Sequence, residues 1–187
     1  AIAVVSASVV GVGAFVRHDA SAPVRRAASS APAVSTPGSP EHPLGDHAGQ
    51  WELVMGEDFN GSSLNPDLWH SCYWWSESGC TNRGNQELEW YQPENVKVAG
   101  GAAHLVARRE AVVGSDGLSF PYTSGLLSQA GVDRDLFTFT YGFAEARVKV
   151  PTGSGMWSAF WMLPSSRISK PEIDIFEIVG ERPRETV

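Results

Sequence analysis

Cysteine is scarce in this 187-residue chain, which has only Cys72 and Cys80. No Cys-x-x-Cys pair and no His-Glu-x-x-His occurs, and the five histidines lack metal-ligand spacing, so a zinc site finds too few ligands. If the protein is exported, two cysteines eight apart in a loop-like, aromatic segment read as a disulfide closing a small loop. Basic residues are also few: 14 Lys and Arg stand against 21 Asp and Glu, a formal net charge of −7. Without the first forty residues, which carry Arg17, Arg25, Arg26 and Asp19, 11 basic groups face 20 acidic ones. So acidic a chain, with no basic stripe, fits neither a nucleic-acid backbone nor an anionic membrane. Acidity also serves solubility alone, so it identifies no substrate. Beyond residue 50 there is no long stretch of period 3.6, and no internal repeat is visible. The length allows one sizeable core but hardly two.

What is present divides into three parts. Residues Ala1 to Val16 are nearly all small or apolar, and Arg17 and His18 follow. The run is short of the roughly 20 apolar residues that span a bilayer, but it suits the apolar core of a secretory signal. A buried core helix and an uncleaved membrane anchor are the alternatives. Residues 1–19 are thus expected to be a partial signal peptide or anchor, making the protein secreted or held at the cell surface. Residues 20–50 are rich in Ala, Ser, Thr and Gly, with prolines at 23, 32, 37, 40 and 43, and read as a disordered linker. Residues 51–187 read as the folded domain, expected to be monomeric.

That domain reads as β structure, with short alternating runs separated by Gly, Pro, Asn, Asp and Ser. Expected strands are Trp51–Met55, Ala103–Arg108, Tyr141–Val150, Met156–Leu163 and Glu172–Val179. Along Tyr141–Val150, Gly142, Ala144, Ala146, Val148 and Val150 fall on one face, and Tyr141, Phe143, Glu145, Arg147 and Lys149 on the other. Strands at this spacing suggest a sandwich or a jelly roll, between which pattern does not choose.

The run Glu172-Ile-Asp-Ile-Phe-Glu177 carries the chemistry. As a strand it sets Glu172 and Asp174 on one face and Ile173 and Ile175 on the other. Strict alternation would bury Glu177 beside the isoleucines, where an unpaired carboxylate is costly. One extra residue, a β-bulge near Ile175 or Phe176, returns Glu177 to the face of Glu172 and Asp174. Retaining glycoside hydrolysis needs such a row, with two carboxyl groups about 5–5.5 Å apart acting as nucleophile and acid/base. Strand neighbours two apart are roughly 7 Å apart at the backbone, close enough for two Glu side chains to converge. Like charges this close raise at least one pKa, so that one carboxyl can remain protonated as the acid. A cation site built from the same carboxylates is the rival reading.

At this motif the sequence resembles glycoside hydrolase family 16, the laminarinase- and lichenase-like jelly rolls. The family pattern Glu-Ile-Asp-[Ile/Val]-[Met/Phe]-Glu is matched at 172–177. Gly153-Ser-Gly-Met-Trp-Ser-Ala-Phe-Trp-Met-Leu-Pro164 and Tyr141-Gly-Phe-Ala-Glu-Ala-Arg-Val-Lys-Val-Pro151 resemble two further family strands. Gly84-Asn-Gln-Glu-Leu-Glu-Trp-Tyr91 and Glu57-Asp-Phe-Asn-Gly61 resemble two more segments, in the family's order. The resemblance implies an all-β, concanavalin-like jelly-roll sandwich that acts on a polysaccharide, a β-1,3 or mixed β-1,3-1,4 glucan, with no catalytic cofactor. It implies Glu172 as nucleophile, Asp174 as its assistant and Glu177 as acid/base. Trp157 and Trp161 would line the sugar cleft, where a flat indole face stacks on a pyranose. Asn85 matches a sugar-contacting position. Glu87 reads equally as a neighbour of that site or as a surface charge. Trp74 and Trp75, inside the cysteine loop, read as a binding wall with one of them anchoring the loop.

The departures from the pattern also carry expectations. Ser158 replaces the usual Pro, Pro171 stands where Gly is common, and Ser124-Gly125 is followed by Leu126 instead of Arg. The last puts a laminarinase-type contact, and so the specific polysaccharide, in doubt. Asp58 stands where the family often has a calcium-binding Glu, which makes a structural calcium a candidate with no ligand set assigned. The family domain continues for on the order of a hundred residues beyond the matched strand, an ordinary domain length. The jelly roll is therefore expected to be incomplete, with apolar surface exposed near its C-terminal strands. A transglycosylase or galactan hydrolase on the same scaffold, and a non-catalytic glycan-binding module, remain the alternatives.

Overall fold

The computed structural model describes residues 2–5, 8–17, 43–44, 49–75, 80–168, 170–182 and 184. Alternating apolar runs form strands and Gly-, Pro- and Asn-rich segments form the turns, and no α-helix occurs among the described residues. In chain order the first strands are β1 (Ile2–Val5), β2 (Ser8–Arg17), β3 (Trp51–Glu57) and β4 (Glu89–Tyr91). Next come β5 (Val96–Ala99), β6 (Ala102–Leu105), β7 (Val112–Val113), β8 (Ser119–Phe120) and β9 (Tyr122–Ser124). The last four are β10 (Leu126–Ser128), β11 (Phe143–Lys149), β12 (Trp157–Met162) and β13 (Ile173–Val179).

Two sheets dominate. One has the order β10-β1-β12-β13, and the other the order β11-β2-β6-β5, with β3 also paired to β2. Between them lies a single main core. Val9, Val12 and Ala14 of β2, Met55 of β3, and Ala103 and Leu105 of β6 enter it from one side. Leu127 of β10 and Phe160 of β12 enter from the other, with Phe176 of β13 packed against them. Ala144, Ala146 and Val148 of β11 also face this core. On the opposite face of β11, Phe143 meets the Trp51 ring edge-on at 6.4 Å. This is a β-sandwich, in which each strand has one apolar face and one free for other uses.

The sequence reading set residues 1–19 apart from the domain, whereas in the structure residues 2–5 and 8–17 are strands of both sheets. β1 pairs antiparallel with β10 and β12. β2 pairs with β11 along one edge, and with β6 and β3 along the other. A β-branched run with no charge before Arg17 pairs well on a pleated surface, and its burial of Val9, Val12, Ala14 and Phe15 adds apolar area to the core. The expected linker at 20–50 lies outside the described residues except for 43–44 and 49–50. Among the described residues no helix is long and apolar enough to cross a membrane.

β13 stands at the end of its sheet order, and its Ile173 and Ile175 are 56% and 43% exposed. The exposed apolar surface expected at the C-terminal strands is found there. Trp157 and Phe160, three apart on β12, test the assignment of the two faces. Trp157 is 53% exposed and Phe160 is buried in the core. Phe160→Ala should lower unfolding free energy in urea melts by about 3–5 kcal/mol, and Trp157→Ala by less than about 1 kcal/mol. Equal costs would mean that the indole face is a packing face too.

Candidate active site

The register of β12 against β13 places the carboxylates. Met162 pairs with Ile173 and Trp161 with Asp174, but Phe160 pairs with Phe176, so Ile175 is an extra residue in β13. This is the β-bulge that the spacing of the acids demands. Beyond it, Ala159 pairs with Glu177. Asp174 and Glu177 therefore lie on the face shared with Trp161 and Ala159, and Glu172, two residues before Asp174, belongs to the same face. Phe176 turns to the other face, where its ring meets that of Phe160 at 6.1 Å. The indole Nε1 of Trp157 donates to Glu177 Oε1 at 3.2 Å. The structure thus gathers Glu172, Asp174, Glu177, Trp157 and Trp161 on one side of two paired strands.

The connection between these strands is tied down by Arg167. Its guanidinium donates to the carbonyls of Val132 at 2.6 Å and Gly131 at 2.9 Å, and lies 3.4 Å from Asp135 Oδ1. Arg167 takes a left-handed backbone, φ +60°. It anchors the segment that delivers Glu172 to the start of β13. Burial raises the Glu172 pKa above the ordinary carboxylate value, the Asp174 and then the Glu177 charge push it further, and Lys170 opposes them.

An aromatic wall adjoins the carboxylate face. Cys72 and Cys80 are joined, with S–S 2.06 Å, and the Tyr73 N–H donates to Cys80 Sγ at 3.2 Å. Tyr73 is the hub of the wall. Its ring stacks on Trp75 at 4.3 Å with 14° between planes, meets Tyr91 edge-on at 5.7 Å, and contacts Trp161 at 6.4 Å. Trp74 is half-buried and packs edge-on against Trp75 at 5.0 Å, and it is Trp75, stacked on the buried Tyr73, that ties the pair to the packed part of the loop. Trp75 keeps its exposed face toward solvent and lines a groove of about 490 Å³ with Thr81, Asn82, Arg83, Trp90 and Asp116. Arg83 and Asp116 form an ion pair at 2.6 Å on its rim. Leu126, in the position where the family pattern has Arg just after Gly125, is fully buried against the Tyr73–Tyr91 cluster and supplies packing only.

The segment after Cys80 differs from an extended strand. Arg83–Asn85 forms a 3-10 turn capped by the Asn82 side chain, and Gln86 is left-handed at φ +57°. Asn85 is exposed at the end of this turn. Glu87 is half-buried and turned inward. It accepts from the Tyr73 hydroxyl at 3.0 Å, from the Asn82 N–H at 2.6 Å and from the Thr81 hydroxyl at 3.5 Å. The surface-charge reading of Glu87 therefore gives way to an internal one. Tyr73 and Glu87 are the residues that sequence reasoning undervalued. Glu87 precedes β4 and follows the left-handed Gln86, so strand period gave no signal for it. At the other candidate site, Glu57 and Asp58 accept from the backbone N–H groups of Phe59 and Asn60 within their own turn. Among the described residues no three His, Cys, Asp or Glu side chains gather as metal ligands.

Comparison with known proteins places this arrangement. The chain is 31% identical over 164 residues to the endo-1,3-1,4-beta-glycanase EglC of Rhizobium meliloti (strain 1021), covering 75% of this chain and 34% of that protein. It is 37% identical over 149 residues to the beta-glucanase of Rhodothermus marinus, covering 74% and 47%. The solved endo-beta-1,3-glucanase of Pyrococcus furiosus superposes with a TM-score of 0.54 at 30% identity, covering 72% and 52%. The chain thus spans between 34% and 52% of the length of these relatives. Likeness to that structure identifies the sandwich as a β-jelly roll. The family model described as glycosyl hydrolases family 16 matches residues 71–187, which hold the disulfide loop, the aromatic wall and the bulged carboxylate strand. The chain belongs to glycosyl hydrolases family 16.

Proposed function

We propose that this protein is an endo-hydrolase of β-1,3 or mixed β-1,3-1,4 glucans that cleaves with retention through a glycosyl-enzyme intermediate. The observation that carries this reading is the placement of Glu172, Asp174 and Glu177 on one strand face beside two indoles. Names of the relatives support the glucan substrate, since two are endo-acting enzymes on β-1,3 or β-1,3-1,4 linkages. In this reading Glu172 attacks the anomeric carbon, and Glu177 gives its proton to the departing glycosidic oxygen. Glu177 then takes a proton from water in the second step. Asp174, between them in the row, orients Glu172, and its charge raises the Glu172 pKa. Trp157 and Trp161 offer flat apolar faces to the sugar rings. The carboxylates supply all the chemistry, so we assign no catalytic cofactor. We also read the protein as exported, which the Cys72–Cys80 disulfide supports, and as a monomer.

The first test is reducing-end release from laminarin and barley β-glucan. The parent should release ends, and the ratio between substrates reports the linkage. Glu172→Gln should lower kcat by at least about 10³-fold, and Glu177→Gln by about 10²–10⁴-fold. No release by the folded parent sinks the glucanase reading and redirects attention to galactans or to binding alone.

The pH profile follows from the charges on the row. A nucleophile works ionised, so activity should rise with pH through the Glu172 pKa. That acidic limb of kcat/KM should lie above the ordinary glutamate value of about 4.3. Removing one repelling charge with Asp174→Asn should move it to lower pH. A limb that stays put in the variant would assign it to another group.

A further inference from the structure

The reaction read above leaves Glu87 without a task, although its surroundings are demanding. One carboxylate oxygen accepts from Tyr73, and the other from the Asn82 N–H and the Thr81 hydroxyl. Burial raises its pKa to about 7; the Asn82 N–H lowers it, the Glu89 charge raises it, and hydrogen bonds from Tyr73 and Tyr91 lower it. A half-buried carboxyl held against desolvation is compensated by the groups it orders. Here those groups lead to two residues that line one groove, Trp75 and Asn82. Tyr73 carries Trp75 on its face and touches Trp161, whose cross-strand partner is Asp174. Asn82 caps the turn that holds Asn85, and lines the same groove as Trp75.

Taking the glucan reading as given, we propose that Glu87 is a positioning residue of the cleft. Its carboxylate holds the Tyr73 ring, and through it the Trp75 indole, in the orientation that stacks on a sugar ring away from the cleaved bond. The same carboxylate fixes the Asn82 turn, which lines the same groove. Ionised Glu87 accepts from Tyr73 and Asn82 with separate oxygens, whereas a protonated carboxyl donates from one of them, so that the Tyr73 hydroxyl must turn from donor to acceptor. The titratable groups that face it are Tyr73, Tyr91 and Glu89. Both tyrosines have pKa values raised by burial and stay protonated near neutrality. Glu87 is therefore the group whose charge changes the wall, and the wall orders as pH rises through about 7.

The test compares the parent, Glu87→Gln and Tyr73→Phe by near-ultraviolet circular dichroism without ligand and by laminarin kinetics across neutral pH. In the parent the aromatic signal should change with a midpoint near 7, and the KM for laminarin should fall over the same interval. In Glu87→Gln both dependences should vanish and KM should rise about fivefold while kcat stays within about twofold. Tyr73→Phe keeps the ring but loses the hydroxyl, and should reproduce the raised KM. Unchanged KM and an unchanged pH dependence in both variants would overturn the positioning role while leaving the hydrolase reading intact. A lower melting temperature with unaltered KM would overturn it as well, by reducing Glu87 to a structural group. A parent that releases no reducing ends sinks the hydrolase reading instead. Tryptophan-fluorescence titration with laminarin then makes the same comparison without turnover.

Discussion

A strand that must carry acids on one face and core residues on the other has room for one parity only. The pair β12–β13 meets that constraint with one extra residue at Ile175, which changes the parity between Asp174 and Phe176. Without it, Glu177 would point at Phe160 and into the sandwich, where an unpaired carboxylate is unstable. With it, Phe176 reaches the core and Glu177 reaches the indole of Trp157. The core and the chemistry are opposite faces of the same two strands, so packing errors in one translate directly into displaced groups in the other.

The rest of the site hangs on that face through aromatic contact. Trp161 is bound by register to Asp174 and by ring contact to Tyr73. Tyr73 in turn belongs to a loop closed by the Cys72–Cys80 bond and pinned by the Tyr91 and Glu87 side chains. Each step uses a rigid, flat group with few rotamers, so orientation is passed along at little cost in conformational entropy. Trp75 inherits its orientation from that chain of contacts and stays exposed.

The family match begins at residue 71, yet the sheets that hold the site include strands from outside it. β2 pairs with three partners and contributes Val9, Val12 and Ala14 to the core that backs β12. β1 lies directly beside β12. The neighbours of the carboxylate strands are thus drawn from the apolar residues that the sequence reading set apart as an export segment. Composition describes such a run well but not its destination. A short apolar stretch satisfies its backbone equally in a helix, in a membrane or between two strands, and only the available partners decide.

The same limit separates what was legible from what was not. The all-β class, the faces of β11, the carboxylate row and even the bulge followed from local rules, because alternation and the instability of a buried acid act within a few residues. The pairing of two cysteines was legible because only one intramolecular pairing exists. The role of Glu87 was not, since its partners Tyr73 and Asn82 come from the other side of the disulfide loop and from a left-handed turn that breaks the strand pattern. Nor was the 3-10 turn that ends at Asn85, or the burial of Leu126. The sequence by itself determined which side chains share a face, because a strand's period is a property of the local backbone. Which faces meet, and therefore which carboxyl becomes a nucleophile's neighbour and which becomes a tyrosine's anchor, was decided only by long-range packing.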